Sequence, residues 1–147
     1  MRLLAGTDFA LRVLMLLAGG PPARPVSVER LARDLGGLSR HHLHKIVQDL
    51  TALGVTRTLR GTGGGVMLAR APDQIRVGTV LRLLEADQAV VECFRAQGCT
   101  CTLIRQCRLR GMLAQAQERF YAGLDAYTLA DCIAPATASA SSGASAR

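Results

Sequence analysis

Residues 27–68 read SVERLARDLGGLSRHHLHKIVQDLTALGVTRTLRGTGGGVML, and this stretch decides the fold. Ser27 offers an N-cap, Glu29 sits in a first turn where the helix dipole favours a carboxylate, and Leu31, Ala32 and Leu35 recur at helical spacing. Gly36-Gly37 stops that helix, and Ser39 caps another at once. The second helix carries Leu43, Ile46, Val47, Leu50 and Leu53 on one face and stops at Gly54. Two short helices across a tight glycine turn form a helix-turn-helix pattern. The period then changes. Val55 to Leu59 is β-prone, Gly61-Thr62-Gly63-Gly64-Gly65 is a turn, and Val66 to Leu68 returns as the partner strand. A helix-turn-helix followed by a small β-hairpin predicts a winged helix in a mainly α chain, and residues 1–70 are read as its DNA-binding region.

Upstream, Thr7 or Asp8 is expected to cap a first helix whose apolar face is Phe9, Ala10, Val13, Leu14, Leu16 and Leu17, ended by Gly19-Gly20-Pro21-Pro22. Downstream, residues 71–92 are read as a connecting helix segment with Val77, Val80, Leu81 and Leu84 on one face, and residues 93–107 as a cysteine loop. Residues 108–133 hold a long helix from Arg108 to about Leu124 and a last turn capped by Thr128. The stripe Leu109, Met112, Leu113, Ala116 and Phe120 is either internal core or a dimer seam, and the seam is the better reading for a lone long helix on a small domain. Residues 134–147 are Ala, Ser, Thr, Gly and Pro with one terminal Arg, a composition that predicts a disordered tail.

The chain has 147 residues and a net charge of +7. Residues 1–70 hold ten Lys/Arg against four Asp/Glu, a balance of +6, whereas residues 71–147 hold eight against seven, a balance of +1. A basic half beside a neutral half fits a nucleic-acid reader carrying a sensing or assembly module. Three Phe, two Tyr and no Trp argue against stacking on single strands, which leaves duplex DNA. The expected contacts are Ser39, Arg40, His41, His42, His44 and Lys45 on the second helix of the pair, and Arg60, Gly61, Thr62 and Gly63 in the wing. A merely solvated basic face is the alternative. The three histidines lack the i, i+4 pairing of a helical metal site, and the glycine turn lacks the Gly-Lys-Ser/Thr ending of a phosphate loop. No apolar run reaches the roughly 18–20 residues of a membrane span, so the chain is expected in the cytoplasm. No nucleophile–base pair can be picked out, which argues against an enzyme.

Four of the five cysteines fall within Cys93-x5-Cys99-x1-Cys101-x5-Cys107. Paired CxxC knuckles, the usual sign of structural zinc, are absent. Thiolates spread along one loop suit an iron–sulfur cluster, whose irons can each take one ligand. Arg95, Arg105, Arg108 and Arg110 surround the loop with positive charge that suits anionic sulfur. A thiol switch, a zinc site and inert cysteines are the alternatives.

Six pieces in order carry a resemblance to the Rrf-two family of winged-helix regulators. They are Thr7-Asp8-Phe9-Ala10-Leu11-Arg12, Leu38-Ser39, Arg60-Gly61-x-Gly63-Gly64-Gly65, Val91-Glu92-Cys93, Cys101-x5-Cys107-Arg108-Leu109 and Leu124-Asp125-x-Tyr127-Thr128-Leu129-Ala130-Asp131, together spanning residues 1–133. The Val-Glu-Cys and Tyr-Thr-Leu-Ala-Asp pieces resemble the nitric-oxide-sensing branch. The resemblance implies a homodimeric repressor of palindromic operators with one iron–sulfur cluster per subunit, 4Fe-4S or 2Fe-2S, and nitric oxide as the signal. It places cluster ligands on Cys93, Cys101 and Cys107, with Asp8 of the other subunit as a fourth ligand, unless Asp8 is simply an N-cap. It also implies a supporting ion pair between Arg12 and Glu85. Sister branches of the family imply a second reading, a sensor of iron–sulfur supply or redox stress. The chain departs from the pattern at Leu4 and Gly6, where Thr and Phe are usual, and in its additional thiol, which leaves Cys99 open as the middle ligand. Cys132 is extra and is expected on an apolar face.

Overall fold

The structure, a computed structural model, describes residues 3–21, 24–36 and 38–133. The tail expected over residues 134–147 lies outside them. Helix α1 (Ala5–Gly19) is followed by α2 (Val28–Asp34), α3 (Arg40–Ala52), strands β1 (Thr56–Leu59) and β2 (Gly65–Leu68), α4 (Val77–Leu84) and α5 (Arg108–Leu124). Short 3₁₀ turns cover Pro72–Gln74, Glu92–Phe94 and Ala130–Cys132.

The caps of the helix pair are those the sequence specifies. Ser27 Oγ accepts from the amide of Arg30 at 3.2 Å, and Ser39 Oγ from that of His42 at 3.3 Å. Gly36 and Gly54 follow their helices with φ of 55° and 71°, the left-handed geometry that glycine adopts at least cost. Leu43, Ile46, Val47 and Leu50 are buried against Ala10, Val13, Leu14 and Leu17 of α1 and Leu31 of α2. Each such side chain contributes about 1.5–3 kcal/mol on burial, so this stripe fixes the angle at which α3 is presented.

The hairpin pairs Thr56 with Leu68 and Leu59 with Gly65. Val26, in the loop before α2, adds a third rung: it exchanges both backbone hydrogen bonds with Val66 at 2.8 Å. A Cβ on Gly65 would lie 2.5 Å from the Val26 carbonyl oxygen, so glycine is required for that approach. The wing is thereby tied to the α1–α2 loop as well as to α3.

Helices α4 and α5 form a second unit. Gly78 lies against the Tyr121 carbonyl and 2.7 Å, at its missing Cβ, from the Asp125 amide nitrogen. Asp125 Oδ1 accepts from the amide and hydroxyl of Thr79 at 2.5 and 3.0 Å, and Arg82 reaches Glu118 at 2.7 Å and Asp125 at 3.2 Å. The chain then folds back: Val77 N–H donates to Tyr127 O at 3.0 Å and Leu129 N–H to Ile75 O at 2.8 Å, which buries Leu129 in the same core as α1 and α3. Asp131 takes the amide and hydroxyl of Thr128, both at 2.7 Å, and its own amide donates to the Thr128 hydroxyl at 3.4 Å, while the last 3₁₀ turn starts one residue later, with Leu129 at its N-cap and no side-chain cap.

The stripe on α5 is not internal core. Leu109 and Met112 are each 59% exposed and Phe120 37%, and only Tyr121 of this helix is buried. Among the described residues, no helix is long and apolar enough to cross a membrane.

The start of α1 departs from expectation. The helix begins at Ala5, its N-cap is Leu4 with no side-chain cap, and Asp8 lies within the first turn, its amide bonded to Leu4 O at 3.0 Å. Thr7 is buried, and its hydroxyl donates to the Glu85 carboxylate, which also accepts from the Leu4 amide at 3.2 Å. Glu85, at the far end of α4, thus holds the start of α1 through the Leu4 amide and the Thr7 hydroxyl without capping its free first-turn amides.

Candidate DNA interface and cysteine loop

Burial of Leu43, Ile46, Val47 and Leu50 leaves the opposite face of α3 to solvent, where Ser39, Arg40, His41, His42, His44, Lys45 and Gln48 are all exposed. Lys45 Nζ pairs with Asp49 at 2.6 Å, one turn along the same face, which partly neutralises it. The wing exposes Arg60, Gly61, Thr62 and Gly63. Gly61 and Gly63 have φ of 96° and 81°, and a Cβ on Gly64 would enter the Leu59 carbonyl. The tip is therefore a thin backbone ridge with one guanidinium at its base. Such a ridge can approach a sugar–phosphate wall closely while α3 presents cationic and donor groups to a major groove.

One contact went unread in the sequence. The Phe9 ring of α1 stands 6.3 Å from that of His42, and the Arg12 guanidinium lies 5.4 Å from the centre of the same Phe9 ring. Within this chain Arg12 pairs with Asp8 at 2.7 Å; the Arg12–Glu85 ion pair is expected at the junction between two subunits. The i, i+4 acid–base pair is legible in the sequence, whereas the hold of Thr7 and Leu4 on the Glu85 carboxylate is not.

The four clustered cysteines are free and half-buried. Cys93 sits in the turn Glu92–Phe94, Cys99 and Cys101 in the loop, and Cys107 immediately before α5, at the positive end of that helix's dipole. Glu92 Oε1 accepts from the Thr100 amide at 3.0 Å and the Thr100 hydroxyl at 2.8 Å. These donations hold the Glu92 carboxyl below the usual carboxylate range. A cleft of about 590 Å³ runs beside the loop between α4 and α5, with Arg82, Glu85, Phe94, Cys107, Arg110 and Tyr121 in its walls. Arg110 lies 6.0 Å from the Phe94 ring centre. Cys132 is half-buried, its thiol 3.5 Å from Thr128 O and well along the chain from the loop.

The donor set fits an iron–sulfur cluster in its chemistry: several free thiols on one loop, with Arg95, Arg105, Arg108 and Arg110 close to them in sequence. Its geometry is open. Among the described residues no three His, Cys, Asp or Glu side chains are gathered as a metal site, so the loop has to close for Cys93, Cys101 and Cys107 to act together.

A helix pair with an exposed cationic recognition face and a glycine wing define a winged-helix DNA-binding transcriptional regulator. The sequence model of the Rrf2 family, described as an iron-dependent transcriptional regulator, matches residues 3–135, and the chain belongs to that family. It is 43% identical to the HTH-type transcriptional regulator NsrR of Geobacillus kaustophilus over 133 residues, covering 90% of each chain. Its identity to the NsrR of Bacillus subtilis is 38%, with the same coverage of both. Among solved structures it is similar to CymR, the global cysteine regulator of Bacillus subtilis, with a TM-score of 0.68 at 25% identity, covering 90% of this chain and 95% of that one.

Proposed function

We propose that the chain is a homodimeric, cytoplasmic repressor of palindromic operators whose DNA affinity is set by an iron–sulfur cluster and relieved by nitric oxide. The observation that carries this reading is the presence, on one winged-helix chain, of a loop with four free thiols between α4 and the exposed helix α5. The similarity to regulators named NsrR supports nitric oxide as the signal.

Cys93, Cys101 and Cys107 would hold the cluster, with Asp8 of the partner subunit as the fourth ligand. Bound there, the cluster supplies iron centres that react with nitric oxide. The chain's own residues do the rest. Asp8 is half-exposed on the first turn of α1 and is a harder, weaker ligand than a thiolate. Arg12 neutralises Asp8 and covers Phe9, and Phe9 touches His42 at the start of the recognition helix. A shift of Asp8 would thus be passed through Arg12 and Phe9 toward His42 in the first turn of α3.

The test is a visible spectrum of anaerobically purified protein before and after stoichiometric nitric oxide, paired with an operator gel shift. A brown protein that bleaches and releases DNA supports the reading. A colourless protein holding one zinc per chain removes it, and stronger release by peroxide than by nitric oxide transfers the signal to redox stress.

A further inference from the structure

Between Cys93 and Cys107 the chain makes few ties. Its backbone bonds there are local: Phe94 N–H to Val91 O and Arg95 N–H to Glu92 O at 3.0 Å, and Gln106 N–H to Leu103 O at 3.0 Å. Among the described residues, the only side-chain hydrogen bonds that span the loop run from Thr100 to Glu92, eight residues back. One carboxylate oxygen takes both the amide and the hydroxyl of Thr100. The two tied residues are the chain neighbours of thiols: Glu92 precedes Cys93, and Thr100 stands between Cys99 and Cys101.

We infer that Glu92 is a positioning residue for the metal-binding loop, holding the segment Cys99–Cys101 beside Cys93 before any metal arrives. The inference rests on the proposed use of these thiols as ligands. A loop that is already closed at its middle has less conformational freedom to lose when its thiolates converge, because closure entropy was spent on folding. The two hydrogen bonds are to a charged acceptor, which makes them the stronger kind and gives them direction. Glu92 is exposed and on no core contact, so its loss should leave the fold intact.

Two readouts on the full chain, purified apo and anaerobic, test this. The first is amide hydrogen exchange at residues 99–101. The second is titration with Co(II) alone, read by its sulfur-to-cobalt absorption. Glu92→Ala should speed exchange in that segment and weaken Co(II) binding about 10–100-fold, the usual effect of losing a residue that orients metal ligands. Its melting temperature should match wild type. Glu92→Gln, which keeps an acceptor oxygen, should recover most of the affinity, and Gln97→Ala, at an exposed loop position, should change neither readout. Unchanged exchange at residues 99–101 in Glu92→Ala, or unchanged Co(II) affinity with a normal sulfur band, overturns the inference. A wild-type protein with no sulfur-to-cobalt band instead overturns the cluster reading, while the exchange result still decides the role of Glu92 in ordering the loop.

Discussion

Thr7 in the first turn of α1 donates its hydroxyl to Glu85, the residue that ends α4, across 78 positions of sequence. The same carboxylate oxygen takes the Leu4 amide at 3.2 Å, and Glu85 is only 7% exposed. This joint fastens the start of the DNA-binding half to the helix that leads into the cysteine loop.

Removing its donor leaves a buried carboxylate short of a partner. Thr7→Val keeps the shape and loses the hydroxyl, and it should cost about 1–3 kcal/mol in urea unfolding, the penalty of leaving a buried polar group unpaired. Thr7→Ser should recover most of that. A Thr7→Val protein as stable as wild type would mean the joint is solvated and contributes nothing.

Gly78→Ala tests the seam between α4 and α5. Its Cβ would meet the Tyr121 carbonyl and the Asp125 amide, both backbone, so neither can turn aside. Overpacking of this kind costs about 1–3 kcal/mol and can exceed that. Gly111→Ala, where a Cβ meets nothing within 4 Å, should be neutral or stabilise by up to about 1 kcal/mol. Equal melting temperatures for the two variants would contradict the close packing of α4 on α5.

How much of this could be read along the chain follows from range. The caps at Ser27 and Ser39, the glycine stops and the span of α5 are set by residues within a few positions of each other, and all are where the sequence puts them. The start of α1, the Phe9–His42 contact and the packing at Gly78 depend on residues brought together only by the fold. In the cysteine loop the ligand chemistry is local and legible, whereas the Glu92–Thr100 tie is one of many acid–hydroxyl pairings the sequence allows.

Acid should loosen the α4–α5 unit. Desolvation pushes the Asp125 carboxyl up, but Thr79 and Arg82 outweigh it and leave it below its ordinary value of 3.8; Asp131 is lowered chiefly by Thr128. A carboxylate whose folded value is depressed contributes stability above the unfolded value, and that contribution is lost as pH falls through the folded one. Stability should therefore hold at neutral pH and drop from about pH 4 downward. Asp125→Asn should flatten that drop while lowering stability at pH 7. An unfolding free energy with the same acid slope in both proteins would remove Asp125 from the account.

Arg60 stands exposed at the base of the wing. If it meets a phosphate, Arg60→Ala should lower operator affinity and reduce the slope of log K against log salt by about one. Lys45→Ala should have a smaller effect, because Asp49 already holds that ammonium at 2.6 Å. Fluorescence anisotropy at several salt concentrations gives both slopes, and an unchanged slope for Arg60→Ala would place the wing away from the backbone.

The apolar face of α5 predicts how the chain assembles. Leu109 and Met112 are each 59% exposed, too large a loss of burial for two such side chains unless a second surface covers them. Met112→Glu sets a charge at the centre of that face. It touches no core residue of its own chain, so the melting curve should retain its cooperativity, while the dimer dissociation constant should rise at least tenfold, about 1.4 kcal/mol. Sedimentation at micromolar concentration should show wild-type dimer and variant monomer. Affinity for a palindrome should fall with it, because the proposed dimer joins its two half-sites through α5, whereas affinity for a single half-site should not change. A variant that sediments as a dimer would move the seam off this face and leave the stripe without a partner.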